Sequence, residues 1–521
     1  MLAEGGSLPT QHRLFGLSAV SLVILLGAAA KLAVHLLTGS NYGFFVDDLY
    51  TIALSKHLAL GYVDVPPLTP LLVAAARALF GESLAAMHLL PALAGAATLV
   101  CICLMAGEFG GKTFAVGLAA LGFLIAPAWL IIDSYLSYDA FDQLLLAAFL
   151  LAWIRLLRTG DRRLWLLLGA LGGAACLTKM TLLFMGPGFL IGMLLSKTRR
   201  DFLTRWPWLG AALVLVLVSP YLAWQTANGW PTLTYWINYG TQRLAPVSIP
   251  AFAWDLINTL HPILLPLWLV GLWRILGRRA NREYVPLGVA ILVTLALLFF
   301  LRAKAWMMVA LFPPLIAAGA VAVEQAIEGR HWARVFKPSA AAALLVAGAF
   351  AAPASLPIVP VESLPAWVGY FDFWKSGSAQ TGDLSSAYPL TIALRIGWEE
   401  LVRDVADVYR ELPPEDRARA GIYAFWYGPA GAIDFYGPAY GLPPAVSAHL
   451  NYYLWGPGAS WEVMIIVTNP EYPLTKLFAE CELKKQVDNE YTIALNKLDI
   501  HVCRKPVWPL KILWERLRGY Y

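Results

Sequence analysis

Two adjacent acids, Asp47 and Asp48, stand in the run F-F-V-D-D-L-Y from Phe44, and a third, Asp64, follows in Y-V-D-V-P-P from Tyr62 to Pro67. A carboxylate beside a hydroxyl can take its proton as the oxygen attacks, which is general base catalysis. A helix N-cap would account for one Asp here, but poorly for two with a further acid nearby. Asp133, Tyr138, Asp139 and Asp142 form a second polar group, and Lys179, Arg302 and Lys304 supply cations that could hold an anion as it gathers charge. The competing reading of these cations is that they are anchors at helix ends, with apolar stems and heads in interfacial water. Asp47, Asp48, Asp64 and Asp139 are also hard oxygen donors of the kind magnesium or manganese takes, although nothing in their spacing demands a metal. His57, His88 and His261 have no ligand spacing such as HExxH and are expected to pack or to lie at an interface.

The elements that position these groups are set by composition. The chain of 521 residues is 59% hydrophobic and 14% charged, against about 45–50% and about 25% in soluble domains. That excludes a single soluble globule. Long apolar runs crowd residues 14 to 352, and polar turns dominate from 353 on. With about 20 residues needed per crossing, about eleven spans are expected, near 14–38, 84–107, 112–127, 139–157, 163–178, 180–196, 207–225, 252–273, 284–301, 303–325 and 338–352. The first is too long for the apolar core of a signal peptide and is expected to be retained.

Basic residues concentrate in alternate loops: Arg155, Arg158, Arg162 and Arg163; Lys197, Arg199, Arg200 and Arg205; Arg274, Arg278, Arg279 and Arg282; Arg330, Arg334 and Lys337. The positive-inside rule puts that face and the N-terminus in the cytoplasm, and the region 353–521 outside a cell inner membrane. The net charge of +5 is thus a matter of topology, and no nucleic-acid partner is implied. The loop 39–83, with Asp47, Asp48 and Asp64, then shares the outer face with Asp139, Lys179, Arg302 and Lys304. Ionisable groups at membrane depth cost about 2.5–3.5 kcal/mol each on insertion scales and mark functional sites by default.

The region 353–521 is expected to be a small α/β domain, with an amphipathic helix over 389–411 and strands at 420–427, 461–469 and 497–504. Its aromatic, glycine-rich stretch 423–457 is placed at the rim of the membrane site, either binding the acceptor or only capping it. Cys481 and Cys503 lie in this region, where an oxidising compartment would permit a disulfide. Cys101, Cys103 and Cys176 lie in apolar runs as small hydrophobes.

D-D-L-Y, then G-Y-V-D-V-P-P-L-T-P and the following L-F-G, resembles the first outer loop of bacterial family 39 glycosyltransferases, relatives of protein O-mannosyltransferases and aminoarabinose transferase with the GT-C membrane fold. The run Arg162 to Lys179 is similar to the family's fifth span, W-Q-T-A-N-G-W-P-T from Trp224 to its third outer loop, and Y-G-P-A-G-A-I-D-F-Y-G from Tyr427 to its external domain. The stretch from Lys304 to Glu324 is similar to a helix that the family opens with Lys and two tyrosines, where this chain has Ala305 and Trp306.

The resemblance implies transfer of a sugar from a polyprenyl-phosphate donor to an acceptor hydroxyl of a protein, lipid or glycan, with inversion. It maps the base to Asp47 and matches the family positions of Lys179 and Lys304, which with Arg302 are the candidates for the donor phosphate; Asp48 is expected to orient Asp47 or the acceptor, and Asp64, Tyr62, Tyr138 and Asp139 are expected to contact the acceptor. A transporter is the rival reading, but it would call for midplane polar sites and repeat symmetry, and neither is visible.

Overall fold

The computed structural model describes residues 13–14, 17–242, 244, 246–277, 279–369, 388–458, 461–489, 491 and 498–521. A short hairpin, β1 (Arg13–Leu14) and β2 (Leu17–Ser18), precedes α1 (Ala19–Thr38). The loop that follows holds two helices, α2 (Val46–Lys56) and α3 (Leu68–Phe80), before the long α4 (Leu84–Glu108). Next come α5 (Thr113–Ile125), the short α6 (Pro127–Ile132), α7 (Tyr138–Thr159), α8 (Leu164–Cys176), α9 (Thr181–Leu194) and α10 (Arg205–Ala227). The membrane part is completed by α11 (Pro231–Gln242), α12 (Ile249–Leu260), α13 (Leu265–Gly277), α14 (Val285–Phe300), α15 (Pro313–Ile327) and α16 (Ala333–Ser355).

Among the described residues, six helices are long and apolar enough to cross a membrane, or up to nine if each of three bent pairs is one span. The expected continuous span 252–273 is one of those pairs. It turns by 95° between α12 and α13, where His261 takes φ +83° immediately before Pro262. Proline cannot continue the hydrogen-bond ladder, so the chain breaks there despite its unbroken hydropathy. A second bend, of 57°, precedes α15 at Pro313 and Pro314. α1, α4 and α7 start on serine caps, the hydroxyl of Ser18 accepting from Ser21 N, that of Ser83 from Ala86 N and that of Ser137 from Asp139 N. α1, α4 and α5 pack on one another, α7 packs on α4, and α15 closes on α5 and α13.

After α16, the segments α17 (Leu364–Gly369) and α18 (Leu390–Ala393) lead to α19 (Trp398–Glu411) and α20 (Pro414–Arg417). The amphipathic pattern over 389–411 is thus two helices, separated by Gly397 at φ +94°. Next come β3 (Ala420–Ala424), α21 (Tyr427–Tyr436), β4 (Ala445–Val446), α22 (Asn451–Trp455), β5 (Val463–Thr468), β6 (Phe478–Val487), β7 (Leu498–Pro506) and α23 (Leu510–Leu517). The five-stranded sheet has the order β4-β3-β5-β7-β6, with β3 parallel to both neighbours and β7 antiparallel to both of its own. Cys481 and Cys503 face each other across β6 and β7 and form a disulfide. Of the basic-loop residues, Arg278 lies outside the described residues.

Candidate active site

The first turn of α2 separates its two acids. Asp48 is fully buried. Its Oδ2 accepts from Phe45 N at 2.6 Å and faces His88 Nε2 at 2.9 Å, while Oδ1 accepts from Leu136 N. His88 Nδ1 lies 2.6 Å from the Gly39 carbonyl, which can only accept, so that nitrogen carries a proton. Asp48 therefore ties α2 to α4 and to the turn before α7, and all its bonds point inward. Asp47, one residue earlier and about 100° around the helix, is half-buried and turned the other way. Its Oδ1 accepts from the Tyr427 hydroxyl at 2.9 Å. Burial pushes the Asp47 carboxyl up to about 7, against the Tyr427 bond, with Asp139, Asp48 and Asp64 adding to the rise.

Asp64 sits beside this pair. Its Oδ1 accepts from the Tyr50 hydroxyl at 2.8 Å and from Asn451 Nδ2 at 3.0 Å, and burial raises its carboxyl to about 6. Asn451 Nδ2 also donates to the Tyr50 hydroxyl at 2.7 Å, and its Oδ1 accepts from Val63 N at 3.1 Å. The rings of Tyr50 and Tyr427 lie 4.7 Å apart.

The cations come from later elements of the membrane part. Lys179, in the turn between α8 and α9, donates to Asp139 Oδ1 at 2.6 Å. Its ammonium lies 5.2 Å from the Tyr138 ring and 5.1 Å from that of Trp306. Trp306 thus puts an aromatic face on the cation where the family pattern has tyrosine. Lys304 lies 5.9 Å from the ring of Tyr239 of α11. Arg302, at φ +60°, is exposed on the lip of a cleft of about 170 Å³ lined by Pro246, Val247, Phe252, Phe299 and Phe300. Asp142 accepts from Thr181 Oγ1 at 2.8 Å, behind the Lys179–Asp139 pair.

Two expected placements are corrected. The Tyr62 hydroxyl donates toward the carbonyls of Leu54 and His57 and accepts from Ala59 N, in a side chain 1% exposed. It braces the turn after α2 and is not presented to an acceptor. Asp133 is paired with Lys31 of α1 at 2.8 Å, both buried, and Lys31 also donates to the Trp129 carbonyl at 2.8 Å. Gly95 leaves the room for it, since a Cβ there would collide with Asp133 Oδ2. A lysine in the middle of an apolar span demands a partner, which is the signal that could have found this pair.

Sequence reasoning gives Tyr427, Asn451 and Tyr239 no individual role, although the stretch 423–457 that holds the first two is expected at the rim of the site; all three are neutral groups with no local signature of chemistry. As a metal site the carboxylates fit poorly. Asp48 has both oxygens engaged by backbone N–H groups, Asp64 holds Tyr50 and Asn451, and Asp139 holds Lys179. Among the described residues, no group of three or more His, Cys, Asp or Glu is placed to hold a metal ion.

A family model described as dolichyl-phosphate-mannose-protein mannosyltransferase matches residues 64–224. The lipid A galacturonosyltransferase RgtD of Rhizobium johnstonii is 26% identical over 264 residues, 48% of this chain and 55% of that protein, so the match spans about half the length of each. Two crystal structures of ArnT from Cupriavidus metallidurans superpose on nearly the whole chain at 16% identity. The one bound to undecaprenyl phosphate has a TM-score of 0.57 and covers 92% of this chain and 97% of ArnT. The apo structure has 0.59 and covers 93% and 98%. The chain is a polytopic membrane protein of the GT-C fold with a sheet-containing C-terminal region. The family model and RgtD are similar to this chain over part of its length, in keeping with the resemblance read from its motifs.

Proposed function

We propose that the protein is a membrane glycosyltransferase that moves a sugar from a polyprenyl-phosphate donor to an acceptor hydroxyl at the outer face of the inner membrane, with inversion and with Asp47 as the base. The observation that carries this reading is Asp47 itself, the acid of the α2 pair that is turned away from the packed interior, with a proton affinity raised to about 7. A base poised near the working pH is the most effective at that pH. The acceptor O–H proton passes to Asp47 as its oxygen bonds to the anomeric carbon, and the bond from that carbon to the phosphate oxygen breaks on the opposite face. The leaving phosphate gathers negative charge, and the cations assigned to meet it are Lys179, beside Trp306, and Lys304, beside Tyr239.

The apolar cleft under Arg302 suits the first units of a prenyl tail, for which leaving an apolar setting costs about 0.8 kcal/mol per CH₂. That ArnT was crystallised with undecaprenyl phosphate supports a carrier of the same chemistry here. RgtD and the mannosyltransferase family both support sugar transfer, to acceptors of different kinds.

The test is mass analysis of surface glycolipids, glycans and glycoproteins from a strain lacking the protein, with wild-type or Asp47→Asn protein restored. Wild type should restore a sugar-modified species. Asp47→Asn should insert normally and lose on the order of 10²–10⁴ in transfer rate, the usual worth of a general base. Restoration at the wild-type level by the variant would end the assignment.

A further inference from the structure

Asp47 and Asp64 are both held by groups that arrive from the C-terminal region, nearly 400 positions further along the chain. Tyr427 opens α21 shortly after β3, and its hydroxyl reaches Asp47 Oδ1 at 2.9 Å. The ring is clamped, 4.7 Å from Tyr50 on one side and stacked at 5.4 Å and 21° on His449 on the other. His449 in turn bonds through Nε2 to the Tyr521 carbonyl at 3.1 Å. α21 lies directly on α2, close enough that a Cβ on Gly431 would stand 3.2 Å from the Leu49 carbonyl carbon. Asn451, at the start of α22, makes the matching contact with Asp64. A mere cap would shield the acids without bonding to them.

We infer that Tyr427 is a positioning residue for the base: by donating to Oδ1 it fixes the Asp47 carboxylate and directs Oδ2 to the acceptor. The inference rests on the proposed role of Asp47 and assigns to the C-terminal region a part in setting that role.

The same bond decides which form of Asp47 is populated. The acids whose charge acts on it are Asp139 on α7, Asp48 on its own helix but turned inward, and Asp64 in the loop after α2, and Asp139 is already paired with Lys179. The phenols of Tyr135 and Tyr138 also feel its charge. Together, burial and the three acids favour protonated Asp47, which could not take the acceptor's proton. The Tyr427 bond opposes them and keeps the ionised form within reach near neutral pH. The phenol itself stays neutral, because burial and the Asp47 charge hold its own proton affinity well above the usual range.

The experiment is an infrared titration of the protonated-carboxyl band of the full-length protein in lipid nanodiscs, with Asp47→Asn used to assign the band. Tyr427→Phe keeps the clamped ring and removes the donor, and should move the Asp47 midpoint upward by about one pH unit. Replacing Tyr427 by 3-fluorotyrosine, a stronger donor of nearly the same shape, should move it downward. An unchanged midpoint in both proteins overturns the inference. Midpoints that shift as expected, beside an Asp47→Asn protein that still restores the sugar-modified species in cells, would leave the Tyr427 bond standing and remove the base role instead.

Discussion

The two ends of the helix bundle use charge in opposite ways. At the basic-loop end, carboxylates are matched by full positive charges or by backbone donors. Glu108 is paired with Arg155 at 2.6 Å and Arg158 at 2.7 Å, Asp201 accepts from Arg162 and the Trp165 indole, and Glu324 caps α5 through Lys112 N and Ala115 N. At the other end, beside the ion pair of Lys179 and Asp139, the acids Asp47 and Asp64 are held by phenols and an amide, which orient a carboxylate without neutralising it. The first arrangement closes a structure, and the second leaves reactivity in place. Asp48 shows that the distinction is drawn residue by residue, because it lies at the reactive end and is bonded like the closed one.

Breaking Asp48 should therefore give the largest structural effect. Asp48→Ala strands the Phe45 and Leu136 N–H groups and leaves His88 without its carboxylate, in a fully buried setting. Each buried donor left without its acceptor costs about 1–3 kcal/mol, which thermal unfolding in detergent would register. Asp47→Asn should behave in the opposite way. The Asp47 carboxyl is raised in the fold, so its stabilising contribution is full at low pH and is lost as pH rises through about 7. The amide has no such loss, so above pH 7 the variant should be at least as stable as wild type, and the two acids separate by stability against rate.

Much of this contrast is legible in the sequence. Ionisable residues are rare among apolar runs, so Asp47, Asp139 and Lys179 stand out, and the structure brings them together at one end. Most spans are legible for the same reason; the exceptions are the bends at Pro262 and Pro313, where hydropathy stays high while the hydrogen-bond ladder fails, and the spans expected at 112–127 and 163–178, where α5 and α8 have only 13 residues each. What is not legible is what comes from far along the chain. Tyr427 and Asn451 reach the acids only through the packing of α21 and α22, and an aromatic in a glycine-rich stretch carries no mark of its partner. The strand β6 escapes a sequence reading because eight of its ten residues are at least partly exposed, in F-A-E-C-E-L-K-K-Q-V, which leaves no apolar alternation to read.

Lys179 sharpens the reactive end. Lys179→Ala removes the cation nearest Asp139 and Trp306, and should lower kcat/KM for a polyprenyl-phosphate-linked donor by about 10²–10³, the range found for a lost anion-stabilising donor. Varying acceptor at saturating donor should show a smaller change. An equal loss on both substrates would mean that Lys179 serves the fold through Asp139, and would move it to the structural side of the comparison.

Glu108 should give the smallest effect and test the closed end. Its partners Arg155 and Arg158 are each close to half exposed, so water already screens much of the attraction. Glu108→Gln keeps the shape and one acceptor oxygen, and should cost about 1 kcal/mol in thermal unfolding. The loss should shrink as salt rises, because the arginines face solvent. The transfer rate per folded molecule should not move, since the acids at the far end are held by contacts that Glu108 does not share. A fall in that rate, with stability unchanged, would mean that charge at one end of the bundle governs chemistry at the other, and the division between the two ends would fail.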